Sequence, residues 1–504
     1  MSGSLGEGQA AVTSVPVGSV STAVRLGMLF GPAVFGVTAA GVALPEVALA
    51  LRAGPAVAWV LIVHALALGI GTAVFGRLAD SWGVRAALAA GSAVLAVGAI
   101  ICLTAPSLGV LIAGRLALAA GSGAMTSCAL AVLAATGPDR RPRILAAYGG
   151  VMAVFAAGAT LAGGVATAWL SWRVTLVLPA LSLLAVPFCV PLATRPGSRR
   201  PVDAAGAALL TLAAGSLVLL VQARALSLPL AAVAAIGGVL VLSAAGLSLR
   251  TRRRPEGFVP PAVAGAAGFR AAAVIGIGVY GGLFALMYAA PQILGGTHGW
   301  SVLTIGVALL PGAVVGAVSS RQAGRLGAVM GRRLLAGAAA VTAAAMVIAG
   351  TAGGPYVLVA ATSLALATFA VAQVVLTAEM SALLPASWRG AGMGLLNLAF
   401  FVGGGVGSAV AGTLAPWTGL PGSVAVIACF PLVAAMVALT RLPPSPAHRR
   451  EVSSPAAGSA LSAARSCPTG AATGAARMAS EVTTTGPSSG RTAIPGTEGS
   501  PETS

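Results

Sequence analysis

The chain has 504 residues, of which 57% are hydrophobic and 8% charged, with a mean hydropathy of +0.96 and a formal net charge of +18. Soluble domains carry about 25% charged residues, so this composition belongs to an integral membrane protein and excludes a soluble enzyme. The positive charge does not mark a nucleic-acid binder, because the 29 basic residues are scattered between apolar runs and every one of them is arginine.

Taken in order, the chain opens with a polar stretch, 1–25, that has no basic cluster before Arg25. The long apolar run that follows reads as a first membrane helix and not a cleaved signal. Fourteen apolar runs are each long enough to cross a hydrocarbon layer of about 30 Å as a helix. Named α1 to α14, they lie at roughly 26–46, 57–76, 86–105, 108–132, 144–168, 174–192, 204–223, 228–248, 271–293, 302–321, 334–352, 356–380, 392–413 and 422–441. Only helices satisfy their own backbone within lipid, so the predicted fold is an all-α integral membrane bundle. Glycine and alanine within the runs suit close helix–helix approach.

Between the second and third runs stands the charged stretch Gly76-Arg77-Leu78-Ala79-Asp80-Ser81-Trp82-Gly83-Val84-Arg85, expected as a hairpin at the membrane surface. Most loop arginines fall on the same side as this hairpin, and only Arg52, Arg173 and Arg224 fall on the other. Arginine excess marks cytoplasmic loops, so both termini are expected in the cytoplasm. Four cysteines, Cys102, Cys128, Cys189 and Cys429, lie inside apolar runs, and Cys467 lies in the tail; none has metal-ligand spacing. From residue 442 to the end Ser, Pro, Thr, Gly and Ala dominate, a composition expected to remain disordered.

The hairpin has an echo, Gly324-Arg325-Leu326-Gly327-Ala328-Val329-Met330-Gly331-Arg332-Arg333, in which Ala328 stands where Asp80 stood. The repeat divides the chain into a six-helix half at 26–192, two inserted helices at 193–248, a cytoplasmic linker at 249–270 and a second six-helix half at 271–441, followed by the tail at 442–504. Such repeats imply a cavity at their interface near the bilayer midplane.

Several motifs, in order, carry a resemblance. They are the hairpin itself, Val42-Ala43-Leu44-Pro45 with Glu46, Trp59, Leu111-Ile112-Ala113-Gly114-Arg115 with Gly121, Ser171-Trp172-Arg173, Asp203-Ala204-Ala205-Gly206, Gly299-Trp300-Ser301 with Leu309-Leu310-Pro311, and Leu384-Pro385 with Arg389-Gly390. Together they resemble the fourteen-helix drug:proton antiporter branch of the major facilitator superfamily, over nearly all of the chain to residue 441. The departures are Gly36 where many relatives carry an acid, Leu118 and Ala119 in α4, and a fifth helix with Gly158-Ala159 before Gly163-Gly164 and no proline.

The resemblance implies a conformational latch in which Gly76, Asp80, Gly83 and Arg85 brace the start of α13 beside Arg389; the plainer alternative is a topogenic turn. It also implies that Arg115, the one basic residue well inside a span, couples protons to substrate. The alternative for Arg115 is a structural arginine bonded to carbonyls of a neighbouring helix. Of 11 acidic residues, only Glu46 and Glu379 lie in or at the ends of spans without being loop residues, and no carboxylate occupies a midplane position. That audit points to neutral or anionic substrates. His64 is a further candidate proton carrier, or a packed core residue. Tyr288, Gln292, Gln373 and Asn397 are candidate cavity lining, and Gly158, Gly163 and Gly164 are packing positions in α5.

The resulting expectation is a proton-coupled secondary transporter in a bacterial cytoplasmic membrane. It would act as a monomer and export small amphipathic compounds by alternating access. Its partners are a small-molecule substrate, protons and the lipid bilayer; no nucleic acid, cofactor or metal is implied. A narrow-substrate uptake carrier or facilitator of the same fold, or a non-transporting membrane sensor or scaffold, are the competing expectations.

Overall fold

The computed structural model describes residues 19–440 except 137–139, 195, 199–201, 225, 255–256 and 385–388, and the side chains of 55, 134, 141–143, 145–146, 153, 157 and 389–391 are also outside it. The expected polar N-terminus up to residue 18, the tail at 442–504 and the side chain of Arg389 therefore lie outside the described residues.

Among the described residues all regular structure is helical. The spans are α1 Val20–Ala50, α2 Ala56–Trp82, α3 Val84–Thr104, α4 Leu108–Leu133, α5 Ala147–Trp169, α6 Trp172–Leu192, α7 Ala204–Val221, α8 Leu230–Arg253, α9 Ala267–Gly296, α10 Val302–Arg325, α11 Gly327–Thr351 and α12 Pro355–Leu383. The last apolar segment, Gly392–Thr440, is broken at Gly419, whose φ of 71° and ψ of 166° lie outside the helical region. It supplies α13 (392–418) and α14 (420–440), giving a bundle of about fourteen helices that agrees with the apolar runs.

Two junctions differ from expectation. The charged stretch at 76–85 is not a loop: α2 stays helical to Trp82 and α3 begins at Val84, with Gly83 alone turning the chain at φ 94°. A residue with a Cβ is strained at that φ, so the reversal within one residue depends on glycine. In the second copy the chain turns at Gly327 (φ 72°), and Gly331, the counterpart of Gly83, is buried inside α11. The two copies thus share composition but turn at different places. Arg332 is carried into the helix as a result.

Small residues set the packing. A Cβ at Gly123 would lie 2.5 Å from the backbone N of Thr72, so α2 and α4 touch through their backbones. Across the two halves, α1 meets α9 where Gly41 faces the Met287 carbonyl, and α2 meets α13 where Gly69 faces Leu398 and Phe401. The inserted helices pack on each other, and α7 is tied to α13 by Gln222 Nε2 donating to the Ala409 carbonyl (3.4 Å) and Thr413 Oγ1 to the Val221 carbonyl (3.1 Å). Along α8 only Ser243 is buried, as fits a helix at the lipid-facing edge.

Candidate functional site

The centre of the first half is Arg115 on α4, fully buried. Its Nε donates to the Val60 carbonyl of α2 (3.3 Å), Nη1 to the Leu176 carbonyl of α6 (2.9 Å), and Nη2 to the Gly36 carbonyl of α1. Two of those acceptors, Gly36 and Leu176, lie at or beside helix interruptions. α1 tightens into a 3₁₀ segment over Gly31–Gly36, and α6 does so over Leu178–Leu181, where Pro179 has no N–H to offer the preceding turn. A guanidinium holding carbonyls from three helices satisfies its donors without a carboxylate, the usual condition for an arginine enclosed in a membrane.

His64 on α2 is also fully buried, and neither ring nitrogen has a hydrogen-bond partner among the described residues. It lies against Gly36: a methyl group added there would land on Nε2 of the ring. The structure therefore brings Arg115, His64 and Gly36 together. Glu46 sits half-buried near the end of α1, after Pro45, and is not in that cluster.

Glu379 belongs to a different place. It pairs with Arg332 of α11, whose side chain is 4% exposed, while among the described residues Glu379 Oε1 and Arg332 Nε and Nη2 lack hydrogen-bond partners. Sequence reading missed Arg332 because it stands in a run of arginines that resembles an ordinary surface loop.

At the hairpin, Arg85 Nε donates to the Val190 carbonyl at the end of α6 (3.4 Å), and the Asp80 carbonyl accepts from the Ser198 N–H (2.8 Å). Gly76 is buried on α2. Gly394, near the start of α13, approaches Ala73 of α2, so the hairpin end of α2 does reach α13. The expected partnership of Asp80 with Arg389 falls on a side chain outside the described residues.

A second set of contacts at the hairpin was not anticipated. Arg77 Nη2 donates to the carbonyls of Gly257 and Phe258 (3.0 Å to the latter), in the segment after α8. Asp203 caps α7 by accepting from the Gly206 N–H (3.0 Å), and also accepts from the Phe258 N–H (3.1 Å) and from Arg250 (2.6 Å). Partial burial alone would push the Asp203 carboxyl up, but the Arg250 hydrogen bond, the Gly206 and Phe258 amides and the Arg250 charge outweigh it and hold the group down at about 2. The sequence marked Asp203 only as part of a helix-start motif. Its acid type at an N-cap position was the available signal.

In the second half, Gln373 Oε1 accepts from Tyr280 Oη (2.8 Å). Tyr280 is enclosed by Phe369 and Phe400 (both 4.9 Å between centroids), Phe401 (5.4 Å, edge-on) and Phe284 (6.0 Å). Through Phe401 this aromatic wall abuts Gly69 of the first half. Gln292 Nε2 donates to the Tyr288 carbonyl one turn back (2.7 Å), and Tyr288 and Asn397 are buried. In α5, Gly163 packs on Ala39 of α1, Gly164 approaches Val302 at the start of α10, and Gly158 faces open space.

This helical membrane architecture defines a class, and comparison with known proteins makes it specific. The Major Facilitator Superfamily model matches residues 26–282 and again 272–479, and the chain belongs to that superfamily. Among the described residues, 13 helical segments are long and apolar enough to cross a membrane, in keeping with that family. The chain is similar to the puromycin resistance protein pur8 of Streptomyces alboniger, 32% identical over 303 residues covering 58% of this chain and 59% of the relative. It is also similar to the cephamycin export protein CmcT of Amycolatopsis lactamdurans, 33% identical over 310 residues covering 56% and 60%. A third similarity is to the multidrug transporter mfsC of Aspergillus fumigatus, 32% identical over 184 residues covering 35% of each chain. The chain thus spans about three-fifths of the length of the first two curated relatives.

Proposed function

We propose that the protein is a proton-coupled secondary transporter that exports small amphipathic compounds, such as an antibiotic, toxicant or secondary metabolite, across a bacterial cytoplasmic membrane. The observation that carries this reading is the enclosed cationic centre of the first half, where Arg115 draws α1, α2 and α6 together beside the unpartnered His64. A buried ionisable group facing interrupted helices is where membrane transporters place coupling chemistry. The aromatic cluster around Tyr280, next to the junction with α2 and enclosed in this conformation, would offer apolar and edge-on contact to a lipophilic ring when the halves part, with Gln373 as a polar handle. The relatives' names, a resistance protein and an export protein for two antibiotics, support outward transport of such compounds.

In this reading the halves at 26–192 and 271–441 rock about a shared core that Tyr288, Gln292, Gln373 and Asn397 help to line. The inserted helices at 193–248 and the linker at 249–270 sit beside it. Arginine excess on the hairpin side places both termini in the cytoplasm. Gly76, Asp80, Gly83, Arg85 and Arg389 form the latch on that side. Arg115 and His64, with Glu46 and Glu379 as the acids within reach of the spans, handle protons. The unit of transport is the monomer.

The test uses everted membrane vesicles from a host without its own pumps, with cationic, neutral and anionic amphipathic compounds added while the pH gradient is followed. Gradient collapse that needs both a particular compound and Arg115, absent in Arg115→Ala, is the expected result. Absence of collapse with every compound, in vesicles shown to contain folded protein, would leave a facilitator or a non-transporting role.

A further inference from the structure

We propose that His64 is the proton carrier of this transporter and that Gly36 is the positioning residue through which its charge reaches Arg115 and α1; the proposal rests on the proton-coupled reading above. Three observations meet at one point. The imidazole is fully enclosed, and among the described residues both nitrogens are unpartnered, which leaves a lone pair free and a buried polar group unsatisfied. Gly36 has no side chain, and any Cβ there would collide with Nε2, so the ring occupies space that exists only because residue 36 is glycine. The carbonyl of the same Gly36 holds Nη2 of Arg115.

The groups around His64 leave it a single electrostatic partner. α4 contributes Arg115. α3 contributes Cys102, with Arg85 at the hairpin end, and α1 contributes Glu46 far along the helix after Pro45. The described side chains of α13 and α7, and the segments Gly31–Gly36 and Gly54–Ala58, carry no ionisable group. The proton step is a simple transfer. A nitrogen lone pair of the neutral ring accepts H⁺ from water when the site opens to one side, and the same N–H bond breaks to return it when the site opens to the other. Protonation puts a second positive charge beside Arg115, and among the described residues the partners of Arg115 are backbone carbonyls and not carboxylates. The added repulsion weakens the hold of Arg115 on Gly36, and Gly36 ends the 3₁₀ segment of α1. That segment is a 3₁₀ interruption within α1, the kind of break that marks a hinge, so it is the element that moves.

The experiment compares wild-type and His64→Gln in proteoliposomes, using a compound the wild-type protein is first shown to exchange for protons. Two readouts are taken: substrate-driven proton flux, and substrate–substrate exchange without any pH gradient. The expected result for His64→Gln is proton flux reduced at least about tenfold with exchange retained within about twofold, since the ring carries the proton and not the substrate. Undiminished proton flux in His64→Gln overturns the proposal while leaving proton-coupled export standing. Absence of substrate-driven proton flux in the wild-type protein overturns the broader reading as well. Should His64→Gln fail to reach the membrane, His64→Asn is taken through the same two readouts: proton flux lost with exchange retained supports the proposal, and undiminished proton flux contradicts it.

Discussion

Arg77 and Asp203 hold the same residue from its two sides: Arg77 donates to the Phe258 carbonyl at 3.0 Å, and Asp203 accepts from the Phe258 N–H at 3.1 Å. The first lies at the end of α2 and the second caps α7, so the segment after α8 is strapped onto the charged hairpin. With Asp203 also bound to Arg250, the inserted helix pair is closed at its base and anchored to the first half.

Removing the charge from this strap should loosen it. Hydrogen bonds to a charged group contribute about 1.5–3 kcal/mol each, so Asp203→Asn is expected to lower the thermal midpoint of the purified protein by several degrees. An unchanged midpoint would show that the strap contributes little.

The strap also carries a pH dependence. The Asp203 carboxyl, held down at about 2 from an ordinary value of 3.8, gives stability that is complete above the ordinary value and lost as pH falls through the folded one. Between about pH 4 and 2 the wild-type protein should therefore lose its advantage over Asp203→Asn. Melting curves of both proteins in that window check the sign.

The enclosed pair Arg332–Glu379 predicts a non-additive result. Glu379→Ala leaves a buried arginine without the carboxylate it pairs with and is expected to cost about 3–5 kcal/mol, whereas replacing both residues with apolar ones of similar volume should cost far less. A double-mutant cycle of unfolding in detergent with Glu379→Leu and Arg332→Met measures this directly. Additive losses would mean the two side chains do not depend on each other.

Helix α5 offers an internal control. A methyl group at Gly163 would lie 2.7 Å from Ala39 Cα, while one at Gly158 meets nothing within 4 Å. Gly163→Ala should reduce both the level of folded protein and its transport, and Gly158→Ala should change neither. Quantifying protein in the membrane beside transport activity separates the two effects.

Much of this fold was legible because the bilayer imposes one rule on every span. Runs of apolar residues long enough to cross it, broken by arginine, located each of α1 to α14, with ends that differ from the observed bounds by up to seven residues. Arg115 was legible for the same reason, as an expensive residue in an apolar run. The ends of helices were harder. Charged residues mark the membrane surface, but they do not say where a helix stops, and α2 continues through Arg77 and Asp80 to Gly83. Arg332 shows the same limit from inside, since its burial depends on the turn occurring at Gly327 and not at Gly331. The hold of Arg77 on Phe258 joins positions far apart in sequence through a backbone carbonyl, an acceptor every residue has and no composition reveals. His64 was visible as an isolated histidine. Its relation to Gly36 appears only when the ring is seen in the space a side chain would have filled.

The most direct test is to load pump-deficient cells carrying the protein with a fluorescent amphipathic compound and follow its loss before and after a protonophore dissipates the gradient. Proton-coupled export predicts energy-dependent loss that stops on addition of the protonophore and is absent from cells with Arg115→Ala. Loss that continues unchanged without a gradient, or net accumulation of the compound driven by the protein, would contradict it.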